Sequence, residues 1–194
     1  MRVGHAVGHV TAPLCRLHKP YPELTLELRT GNPQQLARAV LEGKLDTALA
    51  AEPLADAPFE KVPVYNEELV LIAAADQPPI ESAGDGAPGT LLAFEIGCPH
   101  RKRLEDWFSG QEEMPERIIE LTSYHAMIGC TAAGMGVALL PKSVLDGFAE
   151  KKRLSVHPLP PGQDHAQTML FWRKGARSPK IDALIEVLRE TATD

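Results

Sequence analysis

The chain has 194 residues, 44% of them hydrophobic and 24% charged, which excludes a disordered or fibrous protein. Surface scaling lets a folded chain of this size hide roughly 70% of the surface it exposes unfolded, enough for one large domain or two small ones without disulfides or metals. A formal net charge of −6 is the wrong sign for a surface that neutralises a nucleic-acid backbone, and no apolar run approaches the roughly 20 residues of a membrane-spanning helix.

The N-terminus has no basic-then-apolar leader, so the chain is expected in the cytoplasm. Its 3 cysteines, Cys15, Cys98 and Cys130, are far apart and form no CxxC pair, so reduced thiols are expected and no metal. Arg101-Lys102-Arg103 and Lys151-Lys152-Arg153 are short basic clusters interleaved with acids, expected on a solvated helix face or turn.

In chain order, Arg2 to Ala6 is a short apolar strand, followed by a turn at Gly8 and a helix from about His9 to Lys19. Residues 23–28 alternate polar and apolar, the pattern of a strand with one buried face. Asn32 then suits a helix N-cap, Pro33 the first helical position and Gln35 the reciprocal capping residue, with Leu36, Ala39 and Val40 on one face until Gly43. A strand follows from Leu45 to Ala50, and this β-α-β rhythm is that of parallel strands with helical crossovers.

Two further strands are expected at Val62–Tyr65 and Glu68–Ala74, the second apolar enough to be covered on both faces. Asp76 to Gly89, rich in Pro, Gly, Ala and Asp, reads as a loop or domain junction. The rhythm resumes with strand Leu91–Ile96, helix Pro99–Ser109, strand Arg117–Leu121, helix Ser123–Ala133 and strand Val137–Leu140. Thr168–Trp172 is a last strand, and Ser178-Pro179 starts a C-terminal helix with Ile181, Leu184, Ile185 and Leu188 on one face.

In open α/β sheets ligands bind beyond the carboxyl ends of strands, where helix starts offer unpaired N–H groups. Four junctions have that form: Gly8-His9, Gly31-Asn32, Cys98 to His100, and Ser123-Tyr124. The dinucleotide, P-loop, nucleophile-elbow and HExxH signatures are missing. Among the histidines, His9 and His100 fit hydrogen bonding to a ligand better than proton chemistry. Cys98, at a helix start with Arg101 and Arg103 one turn on, has surroundings that would favour a thiolate, although a buried thiol or polar contact is expected ahead of a reactive role.

The segments RVGHAVGHVTAPL, YPELTLELRTGNPQQLARAVLEGKLDTAL, EELVLIAAADQP, GCPHRKRLEDWF and LTSYHAMIGCTAAGMGVALLPKSVL, in that order, resemble the effector-binding domain of the LysR-type transcriptional regulators. The resemblance implies an α/β fold like the type 2 periplasmic binding proteins, with two Rossmann-like subdomains joined by two crossover strands. Residues 1–73 with 168–194 would form subdomain I and 74–167 subdomain II. It further implies a cavity lined by Gly8, His9, Asn32, Cys98, His100, Ser123 and Tyr124. A small polar or anionic metabolite would be the effector, with no cofactor and no enzymatic activity.

Such domains pair as homodimers, assemble as tetramers in the full-length protein, and reach DNA only through a winged helix-turn-helix that this chain lacks. Peroxide-sensing members place a reactive cysteine at a position like Cys98, but their second cysteine has no counterpart between Arg101 and Gly110. The alternatives are a solute-binding protein of the same fold, a cysteine-based redox sensor, and a small enzyme with Cys98 as nucleophile.

Overall fold

A computed structural model describes residues 1–5, 16–17, 20–52, 58–83, 89–112 and 114–191. In chain order the elements are β1 (Arg2–His5), β2 (Glu27–Thr30), α1 (Pro33–Leu41), β3 (Thr47–Ala51), β4 (Phe59–Ala74), β5 (Thr90–Ala93), α2 (Pro99–Ser109), β6 (Arg117–Glu120) and α3 (Tyr124–Ala132). They continue with β7 (Val137–Pro141), α4 (Lys142–Asp146), a 3-10 turn (Ala149–Arg153), β8 (Leu154–Pro158), β9 (His165–Arg173) and α5 (Pro179–Thr191). Met1–Asn66 with Gln167–Asp194 make one compact unit and Glu67–Ala166 the other.

In the first unit β1 runs parallel to both β2 and β3, and β9 lies antiparallel to β3 with Ala48 opposite Phe171. Successive side chains of a strand point to opposite faces, and both faces here are apolar. Leu49, Leu170 and Trp172 pack on one side with Ile181, Leu184 and Leu188 of α5. Ala48, Ala50 and Phe171 pack on the other with Leu36 and Val40 of α1. That helix starts where Asn32 Oδ1 accepts the N–H of Gln35 at 2.8 Å, with Pro33 at the first helical position. It stops at Gly43, whose φ of +69° suits a residue without Cβ.

The second unit has the strand order β6-β5-β7-β4-β8, with β5 parallel to β6 and β7, and β4 antiparallel to β7 and β8. Leu69 and Leu71 of β4 join Leu91 and Val137 beneath Leu104, Trp107 and Phe108 of α2. Val70 and Ile72 join Leu92 and Ala138 beneath Met127 and Ile128 of α3. The two crossover helices therefore cover opposite faces of one sheet.

Several local expectations shift. The helix expected at His9–Lys19 lies largely outside the described residues, although Arg16 and Leu17 are helical. The second strand forms at Glu27–Thr30 rather than at 23–28, and all four of its residues are exposed because it is a sheet edge. Leu24 and Leu26, whose alternation suggested the strand, pack against the first unit's core just ahead of it.

The two strands expected at 62–74 are one strand of 16 residues, since Pro63 falls at an exposed position that tolerates a missing N–H. β5 ends at Ala93, not Ile96: a turn closes where the Cys98 N–H meets the Glu95 carbonyl at 3.2 Å, Gly97 takes a φ of +96°, and Ile96 is left exposed.

β8 is an addition that periodicity did not signal. Its buried His157 accepts the Ile80 N–H on Nδ1 at 3.0 Å, which leaves the ring proton on Nε2, 2.9 Å from Ser155 Oγ. Ser155 Oγ in turn donates to the Ala74 carbonyl at 2.8 Å, and burial holds the ring's pKa below the ordinary histidine value.

Candidate functional site

Because β5 and β6 are parallel neighbours, with Ala93 opposite Glu120, the helices that follow them start at the same end of the second unit's sheet. Cys98 opens α2 on one face and Ser123 opens α3 on the other. This is the position at which open α/β sheets receive ligands. Ser123 Oγ accepts the Ala126 N–H at 3.2 Å, fixing the start of α3 and the direction of the adjoining Tyr124. The Tyr124 ring meets Phe94, just past the end of β5, edge to face at 4.9 Å.

Three groups that periodicity did not single out complete the cluster. Arg101 donates from Nη1 to Glu120 Oε2 at 2.7 Å and to the Phe94 carbonyl at 3.2 Å, and from Nε to Glu105 Oε1 at 2.8 Å. Its side chain is only 11% exposed, so this guanidinium ties α2 to the ends of β5 and β6 and does not lie on the solvated face expected for the basic cluster. Lys102 does lie there, exposed and paired with Asp106.

Phe94 supplies the aromatic wall. Glu67, at the start of the second unit's share of β4, is 6% exposed despite being a carboxylate. Burial pushes the Tyr124 hydroxyl far above its ordinary range, and the charges that Cys98, once ionised, and Glu67 would carry push in the same direction. Glu67 was hidden in the sequence because it lies just ahead of the strand expected from Glu68, and nothing local separates the two acids. Only the sheet decides which of two adjacent acids faces inward.

The structure brings Cys98, Ser123 and Tyr124 together in the second unit. Asn32 caps α1 in the first unit, while Gly8 and His9 lie outside the described residues. His100 is 5% exposed, its Nδ1 makes no hydrogen bond, and burial with the nearby Arg103 charge lowers its pKa to about 4. It is a neutral imidazole at physiological pH.

The expectation of a favoured thiolate at Cys98 is overturned. Burial raises the thiol's pKa, and the N–H groups of Arg101 and His100 and the Arg101 charge offset that only in part. The cause is visible in the packing: Cys98 is 9% exposed and Arg101 is already neutralised by two carboxylates. Iodoacetamide at pH 8 should therefore label Cys98 at least about tenfold more slowly in the folded chain than in urea. Equal rates, read by mass spectrometry of the Cys98 peptide, would refute the buried-thiol assignment.

Among the described residues no cluster of three or more His, Cys, Asp or Glu side chains is placed to hold a metal ion, and no helix is long and apolar enough to cross a membrane.

Comparison with known families matches residues 4–193 to the family described as LysR substrate binding domain. The chain belongs to that family. Relatives include the HTH-type transcriptional regulator GltR of Bacillus subtilis, 30% identical over 91% of this chain and 60% of its own length. YofA of the same organism is 31% identical over 87% of this chain and 58% of its own length. The LysR domain thus spans about 60% of these curated relatives.

Among solved structures, the effector-binding domain of a BenM variant superposes with a TM-score of 0.81 at 20% identity, covering 100% of this chain and 94% of that one. The reduced regulatory domain of OxyR from Pseudomonas aeruginosa gives 0.78 at 23% identity, covering 98% and 97%. The BenM effector-binding domain holding its effector benzoate gives 0.82 at 21%, covering 100% and 91%. The fold is accordingly α/β and type 2 periplasmic-binding-protein-like. The chain is an effector-binding regulatory domain of the LysR type, in a family whose members are not enzymes.

Proposed function

We propose that this LysR domain senses a small polar or anionic metabolite at the paired helix starts of the second unit, with Ser123, Tyr124 and Cys98 as contact residues. One observation carries the reading: the N-cap residues of two helices on opposite faces lie at one sheet end beside a half-buried aromatic pair. A ligand there receives N–H groups from α3, a hydroxyl from Tyr124 and an apolar wall from Phe94. Gly8, His9, Asn32 and His100 are the remaining candidate contacts. The effector acts by binding one arrangement of the protein better than another, and its differential affinity sets the size of the response.

In this reading residues 1–73 with 168–194 are regulatory subdomain I and 74–167 subdomain II, a division that differs from the two compact units by the stretch 67–73 and by residue 167. The chain pairs with a second copy in the cytoplasm, forms tetramers in a full-length regulator, and controls DNA through a winged helix-turn-helix carried elsewhere in that regulator. The buried, unactivated Cys98 favours this over a cysteine-based redox sensor, and the family match favours it over a transport solute-binding protein.

Calorimetric titration of the chain with a panel of small mono- and dicarboxylates tests the proposal. At least one should bind saturably, and Tyr124→Phe and Ser123→Ala should each weaken it about tenfold, equivalent to about 1.4 kcal/mol. If the tightest ligand is indifferent to both substitutions, the assigned site is wrong.

A further inference from the structure

A cavity lies wholly within the first unit, at the strand ends opposite the start of α1. It has a volume of about 480 Å³ and is lined by the start of β3, the end of β9, the residues around the end of α1 and the first turn of α5. Its floor is apolar: Val40, Leu45 and Ile181 are at most 2% exposed yet border the space. Its charged side chains are two cations, Arg173 and Lys180, and one acid, Asp46.

The acid is already satisfied. Asp46 Oδ2 accepts the Arg2 N–H at 2.7 Å and Oδ1 accepts from Arg2 Nη2 at 3.2 Å, which helps hold its pKa below the ordinary carboxylate value against the opposing cost of burial. Among the described residues, Arg173 and Lys180 have no carboxylate partner. Among the described residues the cavity therefore presents an apolar floor beneath two positive charges that no carboxylate pairs.

We infer that this first-unit cavity is a second small-molecule site, for amphipathic organic anions that combine an apolar ring or chain with a carboxylate. Its volume lies within the range of small-ligand pockets, which are mainly apolar with a few placed polar groups. The apolar part of the ligand covers Val40, Leu45 and Ile181, and its carboxylate meets Arg173 and Lys180 at the rim. None of these residues belongs to the helix starts of the second unit, so the two sites bind independently chosen ligands.

The test is a heteronuclear NMR titration of the 194-residue chain with benzoate, and separately with its uncharged counterpart benzamide. Benzoate should move the backbone amides of Gly43, Ala176 and Lys180 saturably. Replacing both exposed cations, Arg173→Gln with Lys180→Gln, should weaken that response at least about fivefold. Benzamide should bind more weakly than benzoate to the parent chain and be unaffected by the double substitution.

The amides of Ser123 and Tyr124 report the other site in the same spectra, so the two proposals stand or fall separately. The inference is overturned if the Gly43 and Ala176 amides stay still at tens of millimolar benzoate. It is equally overturned if the double variant binds benzoate as the parent does, or if benzamide matches benzoate.

Discussion

Gly136→Ala should cost at least about 3 kcal/mol of stability and lower the melting temperature by roughly 6 to 12 °C. A Cβ added at Gly136 would lie 2.3 Å from the Thr90 carbonyl oxygen and 3.1 Å from its carbonyl carbon. Those are backbone atoms of β5, and no rotamer change moves them aside. Relief requires β7 to pull away from β5 next to the Leu91–Val137 pair, in a region where both strands are covered on both faces.

Gly129→Ala provides the contrast, because a Cβ there meets nothing within 4 Å. In the interior of α3 that change should be neutral or stabilising by up to about 1 kcal/mol, since alanine favours the helix. Circular dichroism melts of the two variants decide the matter. A Gly136→Ala protein melting within about 2 °C of the parent would show that the two strands are not held as close as described.

Acid should destabilise the chain between about pH 6.5 and 4 by about 3 kcal/mol through His100 alone. An unfolded histidine takes up its proton near pH 6.5, whereas the folded His100 is held off until about pH 4. Between those values the unfolded chain binds the extra proton, so the stability conferred by the neutral ring is complete above pH 6.5 and declines as pH falls. The physical cause is twofold. The imidazolium would be buried with no hydrogen-bond acceptor at Nδ1, and it would face the Arg103 charge.

His157 shifts in the same direction, from burial alone, and adds to the same limb. The lowered carboxylates at Asp46 and Glu60 contribute separately, losing their stabilising effect only as pH drops below the ordinary carboxylate range. Denaturant melts at pH 7 and 4.5 should show the loss, and His100→Gln should shrink it. An NMR titration of the His100 ring supplies a direct check that does not depend on the variant folding. A ring that titrates above pH 6 would contradict the burial argument.

Much of the fold was legible in the sequence because its signals are local. Asn32-Pro33 and Ser123 are short-range hydrogen-bonding devices, and both begin helices as expected. The β-α-β rhythm announced a mixed α/β protein, and the wording of five segments pointed to the LysR family that the match over residues 4–193 establishes. Where local pattern misled, a neighbour decided. The alternation at 23–28 mostly precedes an edge strand that starts at Glu27, and the apolar run 91–96 is cut short where a turn requires Gly97. β8 shows no clean alternation because its polar residues His157 and Ser155 answer to Ile80 and Ala74, far away in the chain.

From the amino-acid order alone came the helix starts, the parallel-strand architecture and the candidate residues Cys98, Ser123 and Tyr124, because capping and periodicity act over a few residues. Tertiary structure alone determined that Glu67 faces inward and that Arg101 is consumed by Glu105 and Glu120. It also determined that Cys98 is a buried thiol whose protonated form is favoured. Charge state depends on desolvation and on partners brought together by the sheet, and neither quantity is written in the spacing of residues along the chain.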